Sequence, residues 1–393
     1  MRATNPGNYR FRLTIEGATP QRYEVDVWST KDLGRKLTIE GIEFPDVFDR
    51  LGGPEFDIRP EEARCFPGVM SHVLQGPMRV GANLVAVAPA VFYKQVTPTP
   101  QFAPWENDVS LNDDAFYAAL IGAMKARGFK VMHTEQPSDG FYGTPEDWAM
   151  IPKLMNESPS WWAAWFNEWE KWIVGRAARA QASGVDILVL MQGTDRTFRP
   201  QVYPDYARRW REIIAKARTV YKGEIAVTLS NHADANFTFA DAVDVVIVGS
   251  FSGWQLNMEV NGQRLIRDRK DPKLEELIEA YRRTFAQSRA LLAGKARVYY
   301  EFGAVSADGQ EGSEDPDVIV TLTPDFREQA LYYEALFTAL ADEPWVTGLI
   351  LQRMDWFDQY RRPRDQIYWD ETLASSPRSK PAEEIMRLWY GMF

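Results

Sequence analysis

Two stretches of the 393-residue chain run from apolar residues into an acid: ILVLMQGTD (187–195), which ends at Asp195, and VYYEFG (298–303), which holds Glu301. A carboxyl group can protonate a departing oxygen, take a proton from water or attack an electrophilic carbon. Two of them facing one another across a cleft are the equipment for cleaving a glycosidic bond. One protonates the leaving oxygen while the other attacks the anomeric carbon or activates water. A separation of roughly 5–5.5 Å gives retention of configuration, and roughly 6.5–9.5 Å gives inversion. For either acid alone, capping the helix after its strand is the simpler account. The pair is what points to catalysis.

The elements that must carry these acids read as alternating strands and helices. Apolar strand candidates fall at 65–73, 83–92, 129–136, 185–193, 224–231, 243–251, 296–303 and 346–354, with helical stretches at 113–128, 160–184, 204–221, 272–294 and 325–342. Strands that are apolar throughout are buried on both faces, as in a parallel sheet. Eight of them with helices between most predict an α/β fold, a (β/α)8 TIM barrel. An open doubly wound sheet is the alternative, but no G-x-G-x-x-G or G-x-x-x-x-G-K-[ST] follows a strand.

Residues 9–17, 22–28 and 36–44 alternate apolar and polar with period two, which predicts a small N-terminal antiparallel β accessory domain over 1–60 and a barrel over 61–393. In 160–184, Trp162, Trp165, Trp169 and Trp172 recur at helical spacing and are expected to pack on the barrel, with Trp161 off that stripe and exposed.

In such a barrel the residues at the C-terminal strand ends face the active-site mouth. Asp195 then follows strand four and Glu301 ends strand seven, on opposite sides. Tyr93, Trp254 and Trp356 offer flat faces for sugar rings, or plain mouth packing. His133, Glu135, Asn231, His232, Gln352 and Arg353 are candidate hydroxyl ligands. Arg353 also suits an acidic sugar, or an ion pair with Asp355 or Asp358.

Composition bounds the rest. With 45% hydrophobic and 25% charged residues the chain is globular, and its net charge of −10 disfavours nucleic acid and anionic lipid as partners. One cysteine, Cys65, rules out an intrachain disulfide framework. No apolar run reaches the ~18–20 residues of a membrane span. The opening MRATNPGNYR has no signal-peptide core, so the chain as it stands is expected to be cytoplasmic, or secreted if a leader was removed.

The segments GANLVAVAP (81–89), RGFKVMHTEQ (127–136), GVDILVLMQGTD (184–195), GEIAVTLSNHAD (223–234), DVVIVGSF (244–251), VYYEFG (298–303) and VTGLILQRMDW (346–356) together resemble the clan A glycoside hydrolases, and among them the β-mannanase-like glycoside hydrolase family 113. The resemblance spans about residues 64–360. In that family a G-T-E segment ends strand four with the general acid/base, and a T-E-x-G segment ends strand seven with the nucleophile. It therefore implies Glu301 as nucleophile, Asp195 as acid/base, a carbohydrate substrate and no metal or cofactor. Two positions depart from the pattern: Tyr300 replaces the threonine, and Asp195 is shorter than glutamate by one methylene, roughly 1.5 Å. The shorter acid leaves both retention and inversion open.

Two other readings stand beside this one. His72, His133 and His232 fall at expected strand ends, and Asp195, Glu135 and Asp355 would complete a divalent-metal site, as in a metal-dependent barrel hydrolase. The Asp in place of Glu also fits a carbohydrate-binding protein on a degenerate hydrolase barrel. The N-terminal sheet fits a carbohydrate-binding module, a packing brace or the interface of a homo-oligomer.

Overall fold

The computed structural model describes residues 7–13, 21–27, 37, 39–44, 71, 73–104, 113–138, 145–230, 235–251, 271–310, 323–352, 354 and 375–391. Strands β1 (Gly7–Leu13) and β2 (Gln21–Val27) form an antiparallel pair with Gly7 opposite Val27. The alternating segments at 9–17 and 22–28 thus pair as their period of two implies.

The third alternating segment does something else. Strand β3 (Ile39–Phe44) pairs in parallel with β4 (Leu84–Val87) on one side and with β13 (Val346–Gln352) on the other. It is the first strand of the barrel, so the accessory domain expected over 1–60 loses its third strand and a boundary at residue 60 falls after the barrel has begun. Its period-two pattern hid this, because barrel strands are expected to be apolar throughout. Of the segment 65–73 expected in that place, only Ser71 and Val73 are described, and both are helical.

Between β4 and β13 the ring runs through β7 (Lys130–Thr134), β9 (Ile187–Val189), β10 (Glu224–Leu229), β11 (Val245–Phe251) and β12 (Arg297–Gly303). All eight strands are parallel and the ring is closed. This is the eight-stranded α/β barrel that the apolar spacing predicts. Its interior is filled by Leu84, Ala86, Met132, Ile187, Val189, Ala226, Val245, Ile247, Tyr299 and Ile350. Because side chains alternate across a strand, residues of the opposite parity, such as Val131, Val227 and Tyr300, pack outward beneath the helices.

Helices α1 (Gln75–Val80), α2 (Asp114–Lys125), α3 (Pro145–Glu157), α4 (Pro159–Ser183), α5 (Tyr206–Val220), α6 (Leu274–Leu292), α7 (Phe326–Ala341) and α8 (Pro381–Tyr390) complete the described helices. Local chemistry sets their ends. Asp113 caps α2 by accepting from the backbone N–H groups of Ala115 and Phe116 at 2.8 and 3.0 Å. Ser158 caps α4, Pro159 opens its first turn and Gly184, at φ 79°, closes it.

Trp162, Trp165 and Trp169 are buried along α4, as their spacing implies. Trp161 is buried as well, at 3% exposure, and its indole N–H donates to the Val96 carbonyl at 3.0 Å, so it is not the exposed ring expected. What covers it is a small sheet that the apolar pattern did not reveal: β6 (Gln101–Pro104), β5 (Ala90–Gln95) and β8 (Gln136–Ser138), in that order. Phe102 on β6 meets Trp165 and Trp169 edge-on, at 5.6 and 4.9 Å between ring centres.

Candidate active site

The interior line of β12 leads to the first acid. Tyr299 packs inside the barrel, and Glu301, two residues on, shares its face at the end of the strand where barrel active sites open. Glu301 is 6% exposed. Beside it in register on β11 stands Gly249, which continues the inward line of Val245 and Ile247. A Cβ on Gly249 would lie 2.6 Å from the Ser230 carbonyl oxygen and 3.2 Å from that of Leu229. Glycine therefore lets the ends of β10 and β11 close on one another at the mouth beside Glu301. Gly249→Ala is expected to cost about 1–3 kcal/mol in denaturant unfolding and to lower turnover, because the strand must shift where both acids are held.

The second acid reaches the mouth by a turn. After β9 the chain continues to Gly193, whose positive φ of 64° starts the short 3-10 turn Thr194–Thr197 that carries Asp195. The turn is fastened to β10. The Thr228 hydroxyl donates to the Met191 carbonyl at 2.9 Å and accepts from the Gly193 N–H at 3.1 Å. Half-buried Asp195 accepts through Oδ1 from the Ser230 backbone N–H at 2.7 Å and from the Ser230 hydroxyl at 3.0 Å. Its Oδ2 accepts no hydrogen bond among the described residues. Ser230, Thr228 and Gly249 were not among the residues expected at the site.

Three expected sugar ligands lie elsewhere. Tyr93 is 7% exposed, its hydroxyl accepts from the Trp165 indole at 2.9 Å and its ring packs 5.2 Å from Phe102, so it is part of the packing and not a stacking face. Met132 occupies the inward face of β7, which turns His133 outward toward α2 and α4. There the His133 ring meets the Tyr117 hydroxyl at Nδ1 (2.8 Å) and Glu135 at Nε2 (2.9 Å), leaving neither nitrogen for a sugar or a metal.

Glu135 is fully buried and also accepts from the Trp172 indole at 2.7 Å, with Arg176 at 3.9 Å. Burial pushes its carboxyl up, but the His133 hydrogen bond and charge, the Arg176 guanidinium and the Trp172 N–H together hold it below the usual carboxylate range. Arg176 lies over the Trp172 ring and Arg179 over the Tyr117 ring, each at 4.3 Å. These groups tie α2 and α4 to the barrel wall and do not face the mouth.

Asn231, His232, Trp254, Arg353 and Trp356, with His72 and Asp355, fall outside the described residues; Gln352 ends β13, and its side chain lies outside them too. Among the described residues no three His, Cys, Asp or Glu side chains are grouped to hold a metal ion.

The barrel, the inward Glu301 and the mouth-side Asp195 can be set beside known proteins. The family model described as Glycoside Hydrolase Family 113 matches residues 72–370, about three quarters of the chain. The chain belongs to glycoside hydrolase family 113. As a member it is a glycoside hydrolase of clan A, and a carbohydrate is its substrate. Among curated proteins none matches it in sequence.

Solved structures give the same architecture. A GH113 β-1,4-mannanase superposes with a TM-score of 0.61 at 18% identity, covering 91% of this chain and 99% of that one. The GH113 β-mannanase AaManA from Alicyclobacillus acidocaldarius, in complex with ManMIm, gives 0.60 at 20% identity, covering 92% and 100%. A glycoside hydrolase family 5 mannosidase from Rhizomucor miehei gives 0.56 at 14%, covering 98% of each. At these identities the likeness is one of fold, and the family 113 assignment rests on the sequence match.

Proposed function

We propose that this family 113 enzyme cleaves a β-linked, mannan-type poly- or oligosaccharide with retention of configuration, Glu301 acting as nucleophile and Asp195 as general acid/base. The observation that carries this reading is the place of Glu301: inward-facing, nearly buried and at the C-terminal end of the seventh strand of the ring. A carboxylate there meets the anomeric carbon of a sugar seated in the mouth. In the first step the glycosidic C–O bond breaks, its electron pair leaves with the departing oxygen, Asp195 protonates that oxygen and Glu301 bonds to the anomeric carbon. In the second, Asp195 takes a proton from water, the water oxygen bonds to the anomeric carbon, and Glu301 departs as carboxylate. The mannan class is suggested by the two GH113 mannanases that share the fold.

The test is a panel of mannan, glucomannan, galactan, cellulose and xylan with product analysis, the anomer formed first being read by proton NMR. Release of β-configured mannosyl products is the expected result. An α-anomer formed first overturns retention and gives Asp195 and Glu301 the roles of an inverting pair. Tight binding without product overturns the catalytic reading, while cleavage of another polysaccharide with β-configured product corrects only the substrate.

A further inference from the structure

Ser230 carries a role that neither the family match nor the motif reading assigns. It stands one residue past the end of β10, with Thr228 two residues before it. Ala226 faces the barrel interior, so Thr228 and Ser230 continue the same inward line toward the mouth. That line changes from apolar to hydroxyl at the level where the Asp195 turn crosses it. Thr228 holds the start of the turn through Met191 and Gly193, and Ser230 holds the carboxyl itself.

The contact with Ser230 is asymmetric. Both donors from this residue meet the same oxygen, Oδ1 of Asp195, at 2.7 and 3.0 Å. A backbone N–H can only donate. An acid proton on Oδ1 would therefore face that N–H, whereas a proton on Oδ2 leaves both contacts intact. Aspartate also has one rotatable bond fewer than the glutamate usual in the family, so the direction of its carboxyl follows from whatever fixes the turn and Oδ1.

We propose that Ser230 is a positioning residue for acid catalysis, holding Oδ1 of Asp195 as the accepting oxygen so that Oδ2 carries the proton delivered to the leaving group. This rests on the assignment of Asp195 as acid/base made above. In the glycosylation step the proton moves from Oδ2 to the departing oxygen as the C–O bond breaks toward that oxygen. In hydrolysis the attacking water returns a proton to Oδ2. Oδ1 keeps its two hydrogen bonds throughout. Gly249 serves the same arrangement, because a side chain there would collide with the Ser230 carbonyl and move its N–H away from Asp195.

Leaving groups separate this role from a structural one. The 2,4-dinitrophenolate of 2,4-dinitrophenyl β-mannobioside departs without a proton, whereas the sugar alcohol released from mannotetraose needs one. Ser230→Ala is expected to lower kcat/KM on mannotetraose roughly 10- to 100-fold, and by a factor at least ~10 smaller on the dinitrophenyl glycoside. Ser230→Thr, which restores the hydroxyl, should recover most of the loss, and thermal unfolding of each variant controls for folding. Asp195→Asn should show the same split, larger. If Asp195→Asn shows the split and Ser230→Ala lowers both substrates equally, or neither, the positioning role is overturned. If Asp195→Asn shows no split, the acid/base assignment fails and the role of Ser230 falls with it. Should the panel identify another sugar, the aryl glycoside and oligosaccharide of that sugar take the place of the mannosides.

Discussion

Glu301→Gln is expected to reduce turnover of an unactivated oligosaccharide by roughly four orders of magnitude or more while leaving the fold intact. The amide nearly matches the carboxylate in size and so preserves packing at a position 6% exposed, but it is a poor nucleophile. Circular dichroism and unfolding midpoints should match the parent. A sharper form of the test uses Glu301→Ala with azide and an activated β-glycoside. With the nucleophile gone, azide enters the space it leaves, attacks the anomeric carbon directly and yields the α-glycosyl azide. Azide supplied to Asp195→Ala should instead intercept the enzyme-bound sugar from the other face and yield the β-azide. Near-parental activity of Glu301→Gln on a verified substrate would remove Glu301 from the mechanism.

The second large effect concerns stability. Glu135→Ala leaves the His133 ring and the Trp172 indole N–H without their common acceptor and removes the fully buried carboxylate 3.9 Å from the Arg176 guanidinium, a loss of about 3–5 kcal/mol in denaturant unfolding. The effect reaches the site, because the backbone of Glu135 joins the ends of two strands. Its N–H donates to Val189 O at 3.1 Å and its carbonyl accepts from the Gln192 N–H at 2.8 Å, just before the turn that carries Asp195.

The sign of the pH dependence follows from the same contacts. The Glu135 carboxyl is held below its ordinary value of 4.5 in the folded protein, so the unfolded chain binds its proton more readily. Its contribution is complete above pH 4.5 and is lost as the pH falls from there through the lower folded value. Glu135→Gln, which cannot ionise, should flatten that part of the stability curve. Equal acid-side slopes for the parent and Glu135→Gln would show that the carboxylate does not carry this dependence.

Much of this architecture is written in the chain, and the exceptions have physical reasons. Residues 245–249 and 348–351 are buried on both faces of their strands, so the apolar runs mark those strands directly. Strand β3 reads as a half-exposed strand because Glu40 and Glu43 interrupt it. Glu40 is only half-buried, and its backbone N–H is bonded by the side chain of Asn83 at 3.0 Å. A rule that places every strand-end residue at the mouth ignores which face the residue occupies. Counting outward from inward Met132 assigns His133 to the helix side, and counting from Tyr299 assigns Glu301 to the interior. Ser230 was hidden for another reason: it reads as an interior residue of the strand expected over 224–231, and its partner lies 35 positions away in the chain. Trp161 was misplaced because the sheet that covers it comes from segments beyond the barrel strands.

The pairing of β3 with β13 also sets an order of events during synthesis. Ile39 and Gly348 are partners, yet about 300 residues of chain separate them. Until the last strand leaves the ribosome, the nascent sheet can only be an open arc, with one unpaired edge at β3 and another at whichever strand emerged last. Ring closure is therefore a late and long-range step, of the kind that slows folding and leaves sticky edges exposed. The site inherits this schedule. Asp195, Ser230 and Gly249 lie on consecutive turns and strands that can assemble early, while Glu301 sits on the strand just before the closing one. Synthesis order thus delivers Asp195 and its Ser230 partner before Glu301, and the ring that encloses the mouth closes only when the first strand meets the last.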